Sequence, residues 1–170
     1  MKQKITPEVI NARDLKKHDV FVFGSNLAGV HGAGAARFAY DLGLAVAGRG
    51  IGLYLRHREQ IGSYAIPTKG MRIEVLPLSW IEYFVKDFIS EVENDQEGLN
   101  FLVTPVGCGL AGFKVAEIAP LFKPLVGKSN VSLPEPFLNF YEGKPVIING
   151  KEEKYELGRE QDGLTVYSGL

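Results

Sequence analysis

Two glycine-rich stretches constrain this chain more than any other feature. Gly24-Ser25-Asn26-Leu27-Ala28-Gly29-Val30-His31-Gly32-Ala33-Gly34 follows the apolar run Val20-Phe21-Val22-Phe23, and Gly107-Cys108-Gly109-Leu110-Ala111-Gly112-Phe113 follows Phe101-Leu102-Val103-Thr104-Pro105-Val106. A short, fully apolar run reads as a strand buried on both faces, the habit of a parallel sheet. Glycine then lets the backbone take positive φ and approach a ligand closely, so that successive N–H groups and the start of the next helix face an anion. Strand, glycine loop and helix, used twice, predict a cleft with two walls able to hold a diphosphate.

The chain of 170 residues fits one domain with one core and needs no disulfide staple. With 45% hydrophobic and 23% charged residues it has an ordinary globular composition, and a net charge of −1 gives no whole-molecule attraction to nucleic acid or membrane. The lone cysteine, Cys108, cannot form an internal disulfide, and Met1-Lys2-Gln3-Lys4 leads into no apolar leader segment. A cytoplasmic protein without membrane contact is expected. No metal-ligand spacing occurs, and no cofactor is expected.

Helical spacing of Ala35, Ala36, Phe38, Ala39, Leu42 and Leu44 predicts a helix after the first loop, loosened at its end by Gly43 and Gly48. Ser63-Tyr64-Ala65-Ile66 reads as a strand, with Pro67-Thr68-Lys69-Gly70 as the loop leaving its C-terminal edge. Ser79 and Glu82 have capping-box spacing before a helix carrying Ile81, Phe84, Val85, Phe88, Ile89 and Val92. Ile118, Leu121, Phe122 and Leu125 mark a helix after the second loop, with Pro120 expected near its first turn. Asn130 to Leu133 reads as the last core strand. Val146-Ile147-Ile148, the turn Asn149-Gly150 and Lys151 to Leu157 then predict a peripheral β-hairpin. Strands alternating with helices imply an α/β protein, a three-layer α/β/α sandwich with a mixed central sheet. Its core domain spans residues 1–134 and a C-terminal hairpin extension spans 135–170.

The first loop is neither a dinucleotide fingerprint, because Arg37 stands where G-x-G-x-x-G needs its last glycine, nor a Walker A loop, because no Gly-Lys-Ser/Thr occurs. Asn26 suits either a ribose diol or an ordinary Asx turn. His31, set among glycines, reads as a general acid or phosphate donor rather than a core histidine. Cys108 is either a small buried filler or, less favoured, a nucleophile whose thiolate the loop amides support. Arg56-His57-Arg58 reads as a solvated loop that would also suit nucleic-acid phosphates at the cleft mouth.

Taken in order, Ser25-Asn26, the Gly29-x-x-Gly32-x-Gly34 loop, Ile66-Pro67-Thr68-Lys69, Trp80-Ile81 and Gly107-Cys108-Gly109-Leu110-Ala111-Gly112 resemble macrodomains. The likeness runs from about Asp14 to Leu133. It is closest to the group containing DNA ADP-ribosyl glycohydrolase antitoxins and the terminal ADP-ribose glycohydrolase. The resemblance implies a cleft for ADP-ribose or an ADP-ribosylated protein or nucleic acid. It places Asn26 at the distal ribose and Gly29, His31, Gly32, Ala33 and Gly34 in the first pyrophosphate loop, with Ser25, Thr68 and Lys69 also among the ligand-binding residues. Gly107, Cys108, Gly109, Leu110, Ala111 and Gly112 would form the second loop, Phe113 would lie against the ribose or adenine, and Asp14-Leu15 would read the adenine amino group. Hydrolysis of the ADP-ribosyl bond, with Asn26 orienting water and His31 as acid, is the catalytic alternative to simple binding. A cysteine-dependent enzyme acting on a nucleotide or nucleoside is a second alternative.

Overall fold

The computed structural model describes residues 2–56, 60–161 and 164–169, with side chains to Tyr155. His57 and Arg58 of the basic cluster lie outside the described residues. In chain order the elements are β1 (Lys4–Thr6), β2 (Asp19–Asn26), α1 (Gly34–Asp41), β3 (Gly52–Leu55), β4 (Gly62–Lys69), α2 (Leu78–Glu93), β5 (Asn100–Val103), α3 (Val115–Phe122), β6 (Val131–Pro134), α4 (Glu135–Tyr141), β7 (Val146–Ile148), β8 (Lys151–Glu153), β9 (Tyr155–Gln161) and β10 (Leu164–Gly169). Six strands form one mixed sheet in the order β1-β6-β5-β2-β4-β3, parallel except for β3. The pairs β7–β8 and β9–β10 are separate antiparallel hairpins. Among the described residues no helix is long and apolar enough to cross a membrane.

The period of two along β2 sorts the core. Val20 and Val22 join the cluster built with α2, α3 and α4, whereas Phe21 and Phe23 pack with Ala36 and Ala39 of α1. All four side chains are buried, as a central strand covered on both faces requires. β2 is paired with β4 on one side and β5 on the other, so the chain leaves β2 toward α1 on one face and leaves β5 toward α3 on the opposite face. Loops departing in opposite directions open a crevice at the carboxyl ends of these strands.

Several expectations change in detail. Pro67, Thr68 and Lys69 belong to β4 rather than to a loop. Pro67 is tolerated there because antiparallel β3 reaches only as far as Ala65, which leaves no partner strand beside the missing N–H. Ser79 does not cap α2; Pro77 occupies that position and Ser79 lies inside the first turn. Pro120 is the sixth residue of α3, beyond its first turn, and the chain tightens at once into a 3-10 turn at Lys123–Leu125. The core runs on past Pro134: Phe137 and Phe140 of α4 and Val146 of β7 are buried with Phe122 and Leu133. The β7–β8 turn is the expected one, with Asn149 at φ 52° and Gly150 at φ 73°.

Candidate functional site

A cleft of about 760 Å³ opens at the carboxyl ends of β2, β4 and β5. Its floor is Gly24, Ser25 and Asn26 with Thr68, Lys69 and Thr104. Gly24 is small for a reason: a Cβ there would stand 3.3 Å from the amide nitrogen of Gly107 and 3.5 Å from Thr68 Cγ2. The ends of β2 and β4 slip by one residue, Ser25 opposite Pro67 but Asn26 opposite Lys69, so Thr68 is the extra residue of a bulge. Such a bulge re-aims side chains, and here both Thr68 and Lys69 border the cleft. Thr68 is tied down by its hydroxyl, which donates to the Ser25 carbonyl at 3.3 Å.

The first wall is held by Asn26. Its Nδ2 donates to the Val30 carbonyl at 2.7 Å and its Oδ1 accepts the Val30 N–H at 3.0 Å. The amide therefore braces the loop from within, as an Asx turn does, and Asn26 also borders the cleft. Behind the loop, Gly29 and Gly50 let two backbone segments cross. A Cβ on Gly29, which sits at φ 68°, would fall 2.4 Å from Arg49 N, and one on Gly50 would fall 1.8 Å from the Asn26 carbonyl oxygen. Ser25 Oγ donates to the Gly50 carbonyl. Gly29 thus serves packing and lies outside the cleft lining, while Val30, Gly32, Ala33 and Gly34 line it.

His31, expected as an acid, is not among the residues lining the cleft. The ring is 7% exposed, lies edge-on to Phe23 at 5.7 Å and beside Tyr40, and places Nε2 3.0 Å from the Val46 carbonyl. Its neighbours come from β2 and α1, far from it in apolar spacing, so local sequence gave no sign of this burial.

The second wall is Gly107 to Ala111, turned by Gly107 at φ 77° and closed by hydrogen bonds from Phe113 N to the Gly107 carbonyl and from Gly112 N to the Gly109 carbonyl. Gly112 and Phe113 are not part of the lining; Phe113 is half-buried and packs against the core. Cys108 is buried and its thiol donates to the Val106 carbonyl. Burial, then the Glu153 and Glu117 carboxylates, push that thiol well above the ordinary range, so it stays protonated and the nucleophile reading loses its thiolate. Exposed Leu110 reaches toward Gly34, where a Cβ would lie 3.8 Å from Leu110 Cδ1, so the lips of the two walls come close together.

Among the described residues lining the cleft, Lys69 is the only charged side chain and no carboxylate is present. The N–H groups of Gly32, Ala33, Gly109, Leu110 and Ala111 have no acceptor among the described residues. Unpaired amides from two facing loops with one ammonium make a surface matched to an anion. Asp14 and Leu15 do not join it: they border a groove of about 430 Å³ at the amino ends of the strands, with Lys4, Asp19 and Asn100.

The lining also includes residues that sequence reasoning did not mark as site residues, Thr104, Ile73, Ile148 and Asn149 among them. Ile73 carried no signal, because its φ of 63° is a conformation that β-branched residues seldom adopt. Among the described residues no cluster of His, Cys, Asp or Glu could hold a metal ion. No family model, curated protein or solved structure matches this chain.

Proposed function

We propose that this chain is a macrodomain-like three-layer α/β/α sandwich whose cleft binds ADP-ribose, free or carried by a modified protein or nucleic acid. The observation that carries the reading is the set of amides on two facing glycine loops around Lys69 that have no acceptor among the described residues, in a cleft whose described lining holds no carboxylate. A diphosphate bridging the two loops would accept from both walls and be neutralised in part by Lys69. The volume of about 760 Å³ is in the range of small-molecule sites and leaves room for a nucleoside on either side of the diphosphate. Calorimetry with ADP-ribose, AMP, NAD and adenosine tests it. ADP-ribose is expected to bind most tightly, and equal or absent binding across the four overturns the reading.

Binding without turnover is favoured by the seating of His31 in the core and by the bonds that commit Asn26 to Val30. Hydrolysis of an ADP-ribosyl bond is the second reading, and it falls to Lys69, the only amine bordering the cleft among the described residues. Release of free ADP-ribose from a modified protein or oligonucleotide by wild type but not by Lys69→Ala would establish it. No release by wild type leaves the protein a reader.

A further inference from the structure

We infer that the β7–β8 turn is a third wall of the cleft, in which Asn149 recognises an uncharged, hydroxyl-bearing sugar beside the diphosphate; this rests on the diphosphate reading above. The turn is anchored rather than loosely appended. Val146 is fully buried, and Glu153 Oε2 accepts the Val115 N–H at 2.8 Å, capping α3 from another part of the chain. Asn149 Nδ2 lies 3.4 Å from the Cys108 carbonyl, so the hairpin is held against both the second glycine loop and the helix that follows it. Ile148 and Asn149 consequently line the same cleft as Gly107 to Ala111.

The chemistry of this wall differs from the others. The glycine loops and Lys69 offer N–H groups and a positive charge, whereas Ile148 is apolar and Asn149 neutral. A phosphate gains little there. With a single long bond in use, the Asn149 carboxamide keeps an acceptor oxygen and a donor N–H side by side, the pattern that pairs with vicinal sugar hydroxyls. Asparagine also serves the turn, because its φ is 52°, so the diagnostic variant must keep that backbone. Glycine does so and removes only the carboxamide.

The test is calorimetry of full-length wild type and Asn149→Gly with ADP-ribose, ADP and inorganic pyrophosphate. The expected result is that the variant loses about five- to tenfold in affinity for ADP-ribose, the range for one or two hydrogen bonds, with pyrophosphate unchanged. A loss shared by ADP assigns Asn149 to the adenosine sugar; a loss confined to ADP-ribose assigns it to the terminal sugar. Unchanged affinity for both nucleotides, or an equal loss for pyrophosphate, overturns the third wall. If wild type binds none of the three, the diphosphate reading itself fails and this inference falls with it.

Discussion

Asn26 and Val30 are joined twice, side chain to backbone, at 2.7 and 3.0 Å, so one carboxamide fixes the geometry of the first glycine loop. Asn26 is buried at the end of a central strand, where losing both bonds leaves two backbone groups of Val30 unpaired. Asn26→Ala is expected to cost about 1–3 kcal/mol of stability, read from urea denaturation, and to weaken ADP-ribose binding by loosening the wall. Asn26→Asp keeps the acceptor and loses the donor. It should be intermediate in stability yet as poor in binding, because it sets a carboxylate in a cleft for anions. Equal binding by all three proteins would remove Asn26 from the site.

Gly32 and Gly109 separate ligand effects from folding. Neither has any atom within 4 Å of the position a Cβ would take and neither is at positive φ, so side chains there are tolerated, unlike at Gly29 or Gly50. Gly32→Glu and Gly109→Glu are each expected to melt close to wild type and to lose detectable ADP-ribose binding by calorimetry. A folded variant with wild-type affinity would place the ligand elsewhere.

Much of the fold was legible because the signals are local. Val20 to Phe23 announced a buried strand, the spacing of Ile81, Val85, Phe88 and Val92 announced α2, and Asn149-Gly150 announced its turn. Helix α4 escaped although Pro134, Pro136, Glu135 and the Phe137–Phe140 spacing were all start or core signals; the composition change after Leu133 masked them. In the site, both glycine loops were readable, but what stands behind them was not. The fit of Gly50 under Asn26 and the seat of His31 between Phe23 and Tyr40 are contacts across the sheet, which no local pattern encodes.

Cys108 makes stability depend on alkaline pH. Its thiol is raised above the ordinary range by burial, so between the ordinary value of about 8.5 and the higher folded value the unfolded chain has lost a proton that the folded chain keeps. The contribution is complete below pH 8.5 and is lost as pH rises through that window, so ΔG of unfolding falls. Buried Tyr64 and hydrogen-bonded Tyr141 are shifted the same way and add to the fall from about pH 10. Urea midpoints at pH 7 and pH 9.5 should show a smaller drop for Cys108→Ala than for wild type. The same burial predicts that the native thiol resists iodoacetamide at pH 7.5 while the urea-unfolded chain reacts. Rapid alkylation of the folded protein would revive Cys108 as a nucleophile.

Ending the chain at Pro134 and at Tyr155 tests how far the core extends. The shorter chain lacks Phe137, Phe140 and Val146, each essentially fully buried and worth about 1.5–3 kcal/mol on burial. It also lacks Glu153, the carboxylate that accepts the Val115 N–H at the start of α3. Domains of this kind are stable by only about 5–15 kcal/mol, so these losses together are of the size of the whole. Truncation at Pro134 is therefore expected to abolish cooperative unfolding by circular dichroism. Truncation at Tyr155 retains all four groups, the Phe140–Tyr155 ring contact at 5.0 Å and both walls flanking Cys108, and should still melt cooperatively and bind ADP-ribose. A cooperative melt near the wild-type temperature for the chain ending at Pro134 would show that α4 and the β7–β8 hairpin only decorate a core complete without them.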